Sequence, residues 1–546
     1  MLAALFTALG AHAQSPQDVG RALQQNQQIQ QQQQQLERQQ REQEEQRRRT
    51  PSGKELTPQA PAPAAAGPCT QVREIVLEGA TRLEPVEQAR LAAPYLDHCL
   101  SLADVNRLIA DITNRYVALG YVTTRVYLPA QDLSGGRLLL KVVEGKVQSL
   151  VIKPAESANA GTAFPGLEGS MLNLRDIEQG LDQVNRLGSN DARVDIEPGD
   201  EPGQSRVVIH NAPRKRTLAS ASVDNSGLDS TGREQYTAFL GADNLAGMND
   251  YLSGTVRYSS AGGHEYSQSA GAYGSVPYGY WTYSAALNAF EYASLVQGSV
   301  STFATGGSTD SQMVRAERVV YRDQALKWTL GGGLTLKQTE NTIAGVPIDL
   351  SSADLTVLDL ASSLGVIAGG MLMTFDVGVS EGVDAFGATV DDPTRPAGAP
   401  RAQYEKLTYG ASLLAPFRVG GAQGSWRSTL YGQASNDPLY GTEQIAIGNL
   451  YTVRGFRTTS LASRTGYYLR NEVGVQLPQG QALFRPYLAF DVGSVDAGGT
   501  LQGWAVGLDV SLAGASLQVA YAAPVSVPNL IRKESGWLYA RLAYTY

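Results

Sequence analysis

Cysteine and histidine are scarce in this chain, with two Cys and four His in 546 residues. His98, His210 and His264 show no metal-ligand spacing, and His12 falls in the leader-like segment described below, so no metal site is expected. Basic charge is not in excess either. The 44 Lys+Arg stand against 52 Asp+Glu, a formal net charge of −8, which argues against the grip on phosphate that nucleic-acid binding requires. The motif G-x-x-x-x-G-K-[ST] is absent, and Gly331-Gly-Gly333 sits inside a strand-like stretch, so no nucleotide is expected to be used. No nucleophile elbow is found, and Asp391-Asp392 reads as a solvated loop pair. Neither an enzyme nor a cofactor is expected. Long apolar stretches are missing too. Residues 266–290 are uncharged but rich in Ser, Gly and Tyr and split by Pro277, while 360–375 carry Gly365, Gly369 and Gly370. Both read as hairpins, so a membrane protein of this sequence crosses with a closed barrel and not with helices.

Glycine and tyrosine, in contrast, are plentiful, at 58 Gly and 26 Tyr against 11 Phe, a mixture that suits many strands joined by tight turns. The first thirteen residues are apolar and end Ala11-His-Ala13, the pattern of a signal peptide (1–13), although no Lys or Arg precedes them. In an exported chain the even pair Cys69 and Cys99 favours a disulfide over two separate buried thiols. Closing such a loop would stabilise its domain by roughly 3–4 kcal/mol in the chain-entropy model. Residues 14–49 are dominated by Gln with Glu and Arg and hold only Leu23, Ile29 and Leu36 as large apolar residues beyond position 20. A helix there has no apolar stripe to bury, so it lies in water, is disordered, or occupies a polar cavity. Residues 50–68, with repeated Pro and Ala, form a linker.

Two α+β units of about 70 residues follow, at 69–146 and 147–213. In the first, strands are expected at 72–78, 121–128 and 137–143. A helix opens at a Ser101/Asp104 capping box, repeats Val105, Leu108, Ile109, Ile112, Tyr116 and Leu119, and stops at Gly120. The second unit repeats the plan, with a strand at 147–153, Asn173 capping a helix over 174–187, and strands at 192–197 and 206–211.

From residue 214 to 546 the period is two. Leu538, Ala540, Leu542, Tyr544 and Tyr546 share one face, with Tyr539, Arg541 and Thr545 on the other. Trp504 to Leu512 and Trp328 to Leu336 split the same way, with charges on one face only. Lys or Arg facing lipid near the midplane costs roughly 2–4 kcal/mol, so lipid contact would impose this segregation. A soluble β-sandwich alternates as well and remains open at this point. Counting gives sixteen strands at roughly 21 residues each, with tight connections near 245–248, 277–278, 323 and 478–481 and long ones at 293–310, 385–403 and 436–464.

The longest loop carries Val453-Arg454-Gly455-Phe456, and a later strand carries Phe490-Asp491-Val492-Gly493. Asp491 lies on the polar face, where a loop arginine folded inward would pair with it in bidentate fashion. These two motifs resemble the signature pair of the TpsB transporters of two-partner secretion, the FhaC, ShlB and CdiB type, within the BamA-like superfamily. Residues 120–133, with Thr124, Arg125, Tyr127, Gln131, Asp132 and Leu133, look like the first POTRA domain of that family, and 173–187 with Ile196-Glu-Pro-Gly199 look like the second. The resemblance implies a 16-stranded transmembrane β-barrel behind two periplasmic POTRA domains, a lumen plugged by the N-terminal helix, and Arg454 docked on Asp491. It implies export of one large β-helical TpsA-type exoprotein to the cell surface, with the POTRA residues above as candidate substrate contacts. The partners are then the exoprotein, outer-membrane lipid and periplasmic chaperones, for a transporter working as a monomer. A barrel insertase of the same superfamily and a passive porin or receptor are the competing functions, and a soluble enzyme ranks last.

Overall fold

The computed structural model describes residues 21–33, 60, 67–298, 301–529, 531 and 533–546. The leader at 1–13, most of the linker at 50–68 and the two ends of 14–49 lie outside them. Residues 21–33 form helix α1.

In the first α+β unit, β1 (Thr70–Val72) pairs with the later β3 (His98–Leu100), and Cys69 and Cys99, 5.2 Å apart at Cα, are joined in a disulfide beside that ladder. A second sheet holds β2 (Glu74–Glu78), β5 (Arg137–Val143) and β4 (Arg125–Tyr127) in that order. Helices α2 (Pro85–Ala92) and α3 (Leu102–Ala118) complete the unit. At the start of α3 the Ser101 hydroxyl accepts from the Asp104 amide at 3.3 Å and the Asp104 carboxylate accepts from the Ser101 amide at 3.0 Å, satisfying two N–H groups the helix cannot. Val105, Leu108, Ile112 and Tyr116 bury one stripe of α3 against Leu138, Leu140 and Val142 of β5. The strand expected over 121–128 is confined to Arg125–Tyr127, because the Thr124 amide turns back to the Tyr121 carbonyl at 3.2 Å.

Glu144, just beyond β5, fastens this unit together. Its carboxylate accepts from the amides of Thr81 and Arg82 at 2.7 and 2.9 Å and from the Tyr116 hydroxyl at 2.7 Å. Burial pushes its pKa up, but these bonds and that of the Thr81 hydroxyl outweigh it, and the group sits below the ordinary value of 4.5. The resulting stability is present above pH 4.5 and is lost as pH falls through the depressed folded value. An acid-active protease should therefore cleave the unit faster as pH drops below that point. Glu144→Gln should remove this pH step, and an unchanged step in the variant would exclude the role.

The second unit orders β6 (Lys146–Lys153), β8 (Gln204–Asn211) and β7 (Ala192–Pro198) in one sheet, covered by the short α4 (Ala160–Ala163) and by α5 (Leu174–Asn185). Ile177 and Val184 of α5 enter the core with Val207 and Ile209. The opposite face of α5 docks on the barrel. Gln179 and Gln183 donate to the Gly279 carbonyl at 3.1 and 2.9 Å, the Tyr280 hydroxyl donates to Asp176 at 2.6 Å, and Asp182 takes Arg322 and Lys327, each at 3.0 Å. Periodicity gave no sign of α4, whose four residues depend on Asn159, a cap whose backbone amide is itself held by Asn249 of a barrel turn at 2.9 Å.

The barrel runs through β9 (Thr217–Asp224), β10 (Gln235–Asp243), β11 (Tyr251–Gly262), β12 (Glu265–Tyr278), β13 (Trp281–Gln297) and β14 (Thr302–Arg322). It continues with β15 (Leu326–Ile343), extended by the two-residue β16 (Val346–Pro347), then β17 (Ala353–Ala368), β18 (Met371–Val383), β19 (Glu405–Val419) and β20 (Ala422–Ala434). After a long loop holding β21 (Ile445–Ile447) and β22 (Leu461–Ser463), it finishes with β23 (Gly466–Gln479), β24 (Ala482–Val495), β25 (Gly499–Leu512), β26 (Ala515–Ser526) and β27 (Trp537–Thr545). Sixteen spanning strands close antiparallel, β27 against β9. Leu240, Val256, Leu287, Val314, Leu330, Leu360, Val377, Leu488, Val506 and Leu542 are exposed outward, the apolar band that meets lipid. Of residues 293–310, expected as a long loop, 293–297 and 302–306 instead carry the β13–β14 ladder onward from Ala293↔Gly306 to Gln297↔Thr302. Their lumen-facing Val296 and Phe303 pack with Ile343 against Ala22 of α1, which gives the extended hairpin a partner.

Candidate functional site

Residues 435–465, between β20 and β23, fold into the barrel because both their apolar and their charged residues find partners there. Val453 and Phe456 are fully buried with Ile445, Ile447, Tyr468, Val495 and Leu501. Gly455, at φ +101°, presses on β26, where a Cβ would stand 2.5 Å from the Ala523 carbonyl carbon, and a Cβ on Gly503 would come within 1.7 Å of the Arg454 carbonyl oxygen. Only glycines at these two points, one in the loop and one in the wall, let the loop tip lie flush.

That fit aims Arg454 at Asp491, and the two are 3% and 0% exposed. The guanidinium donates to both carboxylate oxygens, Nε to Oδ2 at 2.6 Å and Nη2 to Oδ1 at 2.8 Å, while the Arg454 amide also donates to Oδ2 at 3.0 Å. Nη1 donates to Glu472 at 2.8 Å, and Arg485 links Glu472 at 2.6 Å to Asp509 at 3.0 Å. Arg470 holds the loop backbone through the Tyr451 and Leu450 carbonyls at 3.1 and 3.3 Å. Arg454, Arg470 and Arg485 thus sit among Glu472, Asp491 and Asp509, opposite charges compensating one another, with the Arg454–Asp491 pair closed off from water and Glu472 and Asp509 partly exposed.

Of the wall motif, Asp491 and Gly493 face the loop. Gly493 is close enough that a Cβ would meet Val453 Cγ2 at 2.8 Å. Phe490 does not belong to the contact. The two-residue period of β24 turns it outward, 46% exposed on the lipid side. Alternation placed Asp509 on the polar face but could not tell that it meets Arg485 of the neighbouring β24. Glu443, not singled out from the sequence, is a second anchor of the loop, accepting from Lys337 and Lys406, each at 2.5 Å, and from the Tyr404 hydroxyl at 2.8 Å.

The helix α1 crosses the extracellular part of the lumen. Gln25 donates to Ser294 Oγ at 3.2 Å, Gln30 to Asn341 Oδ1 at 2.9 Å, and Gln27 to Gln444 of the loop at 2.9 Å. Two small apolar contacts supplement the amides, Ala22 as above and Ile29 with Leu228, Phe290 and Tyr292.

The six residues of the first POTRA-like motif divide. Thr124 is buried, and Leu133 packs on the core. Gln131 spends its amide on both backbone groups of Leu139, each at 2.7 Å, and Asp132 accepts from the Ser134 amide at 2.9 Å and its hydroxyl at 2.8 Å. These four make their contacts inside the domain. Arg125 and Tyr127 are exposed on β4, an outer strand of the sheet.

Residues 203–521 match the family model described as haemolysin secretion/activation protein ShlB/FhaC/HecB, 70–145 match the ShlB-type POTRA domain, and 146–198 match a POTRA domain. The chain belongs to the ShlB/FhaC/HecB family. It is 34% identical over 485 residues to the outer membrane transporter CdiB of Dickeya dadantii, covering 86% of each chain. To the hemolysin transporter protein ShlB of Serratia marcescens it is 32% identical over 464 residues, 84% of this chain and 82% of that one. The solved structure of CdiB from Escherichia coli superposes with a TM-score of 0.87 at 31% identity, covering 98% of this chain and 100% of that one. These relatives are transporters, not enzymes. The transporter therefore sits in the outer membrane with its two POTRA domains in the periplasm, and its function is export by two-partner secretion.

Proposed function

We propose that the transporter holds its pore closed with a removable helix and receives its exoprotein, unfolded, at the outer strands of the POTRA sheets. The observation that carries the closure is the way α1 is seated, by side-chain amides and two small apolar contacts. Buried Asn26 and the Gln31 Nε2 have no protein partner among the described residues. Each buried polar group left so costs about 1–3 kcal/mol, which suits a part that must leave. Strand addition at β4, which offers Arg125 and Tyr127 to the periplasm, supplies backbone hydrogen bonds to an extended segment whatever its sequence. The inward loop, latched by Arg454 on Asp491, shapes the pore through which that segment passes. Periplasmic chaperones would keep the exoprotein extended, and one chain contains every part this cycle requires.

A photo-crosslinker at Tyr127 should capture the exoprotein encoded in the neighbouring reading frame while it is in transit, whereas one at buried Thr124 should not. Equal capture at both positions, or at neither, would dismiss β4 as the entry edge.

A further inference from the structure

Lys and Arg in the spanning strands keep to the face that looks into the lumen, with one departure. Arg318 of β14 is exposed and pairs in register with Trp281 of β13 on one side and Leu330 of β15 on the other. It shares the outward face with Val314, Leu330 and Trp328. Arg315, three residues earlier, shows the contrast, since it turns inward and binds Glu317 and Asp359.

Among the described residues, no carboxylate lies within ion-pair distance of Arg318. Its guanidinium lies instead over the Trp281 ring, 5.4 Å from the centroid, and that ring stacks on Tyr283 at 6.0 Å with the planes 8° apart. Tyr278, Tyr321 and Trp328 face outward around the pair. The Trp328 ring is fixed by its Nε1, which donates to Ser362 Oγ at 2.9 Å. Asp323, in the turn below, is already used, accepting from the Tyr321 hydroxyl and from the amides of Ala325 and Leu326, each at 2.8 Å.

The depth of the cluster follows from the strand. Arg318 lies four residues before β14 ends at Arg322, which α5 of the second POTRA domain holds through Asp182. The cluster therefore sits at the periplasmic interface of the membrane, where an aromatic girdle is expected.

We propose that Arg318 and Trp281 form a headgroup site for an anionic phospholipid of the inner leaflet, of the phosphatidylglycerol type. A cation aimed at a bilayer with no carboxylate of its own is costly unless the membrane supplies the anion. At this depth the available anions are the phosphodiesters of inner-leaflet lipids. A guanidinium lying over a ring still presents its fork of N–H groups, which matches phosphate oxygens, and the ring beneath it adds a cation–π contact. With Asp323 spent, no free carboxylate waits for a headgroup ammonium, so a net negative headgroup is favoured over a zwitterionic one. The lipid so held lies against the hairpin on which α5 docks.

The test titrates full-length protein in detergent with phosphatidylglycerol and, separately, with phosphatidylcholine, and counts bound lipids by native mass spectrometry. The parent should hold phosphatidylglycerol more tightly than phosphatidylcholine. Arg318→Gln should weaken phosphatidylglycerol binding about tenfold, the effect of losing one charge-assisted bond, and Trp281→Leu about threefold, the effect of losing the cation–π contact. Arg318→Lys should recover part of the affinity, since charge remains while the fork is lost. Resistance of each variant's barrel to unfolding in detergent reports that the wall is intact. Equal phosphatidylglycerol affinity in the parent and Arg318→Gln would overturn the site. Equal affinity of the parent for the two lipids would overturn the preference for an anionic headgroup, and displacement of the lipid by an equal concentration of inorganic phosphate would overturn the lipid as occupant.

Discussion

Arg454→Ala is expected to reduce secretion at least tenfold while the barrel still inserts and is recovered in the outer-membrane fraction. The substitution strands Asp491, which is 0% exposed, and removes one of two arginines from Glu472. Breaking a buried ion pair by removing one partner costs about 3–5 kcal/mol, and the closed environment leaves little solvent to soften it. The barrel itself loses nothing, because its ladders do not include residue 454. Exoprotein in the culture medium, measured against transporter in the membrane, reads the effect, and normal secretion by the variant would refute the latch. Arg454→Lys should recover little, since a lysine cannot donate to both Asp491 oxygens and Glu472 in the plane those bonds require. A charge swap, Arg454→Asp with Asp491→Arg, should rescue only in part, because the new carboxylate would face Glu472.

Deleting residues 14–49 is expected to convert a mostly closed channel into one with steady large conductance. Every described bond from α1 to the wall and loop goes with it, including Gln25 to Ser294, Gln27 to Gln444 and Gln30 to Asn341. The wall should survive, since its strands are held by their own ladders. Secretion should persist, because in the proposed cycle the helix departs before the exoprotein enters. Currents indistinguishable from those of the intact chain would exclude the plug, and steady conductance in the undeleted protein would favour a passive porin.

Much of the architecture was legible in side-chain order because lipid imposes it. A strand with Trp504, Val506 and Leu508 on one face and Gly507 and Asp509 on the other has one stable orientation in a membrane, and the structure exposes the first three outward. The POTRA helices were legible through Ser101, Asn173 and their apolar stripes, since caps and period are local properties. Loop lengths were less secure. Residues 293–297 and 302–310 lack strongly apolar alternation, yet they continue as strand because α1 covers their lumen face through Val296 and Phe303, a contact between segments more than 250 residues apart.

The candidate site divides in the same manner. That Arg454 needed an acidic partner, and that Asp491 pointed inward, follow from residue type and a period of two. Phe490 could be excluded by that period alone, as its neighbour's face is not its own. Glu472, Arg485 and Glu443 were out of reach, because each joins strands or loops brought together only when the sheet closes.

Sequence by itself narrowed the class of this protein, through alternation with charges on one face only, as lipid contact imposes, a polar helix with no stripe to bury, and two capped α+β repeats. Tertiary structure decided which charges meet. Barrel closure sets the stagger of every strand, and pairing across the lumen depends on that stagger and on how deeply the loop descends, neither of which is encoded in any short stretch of residues.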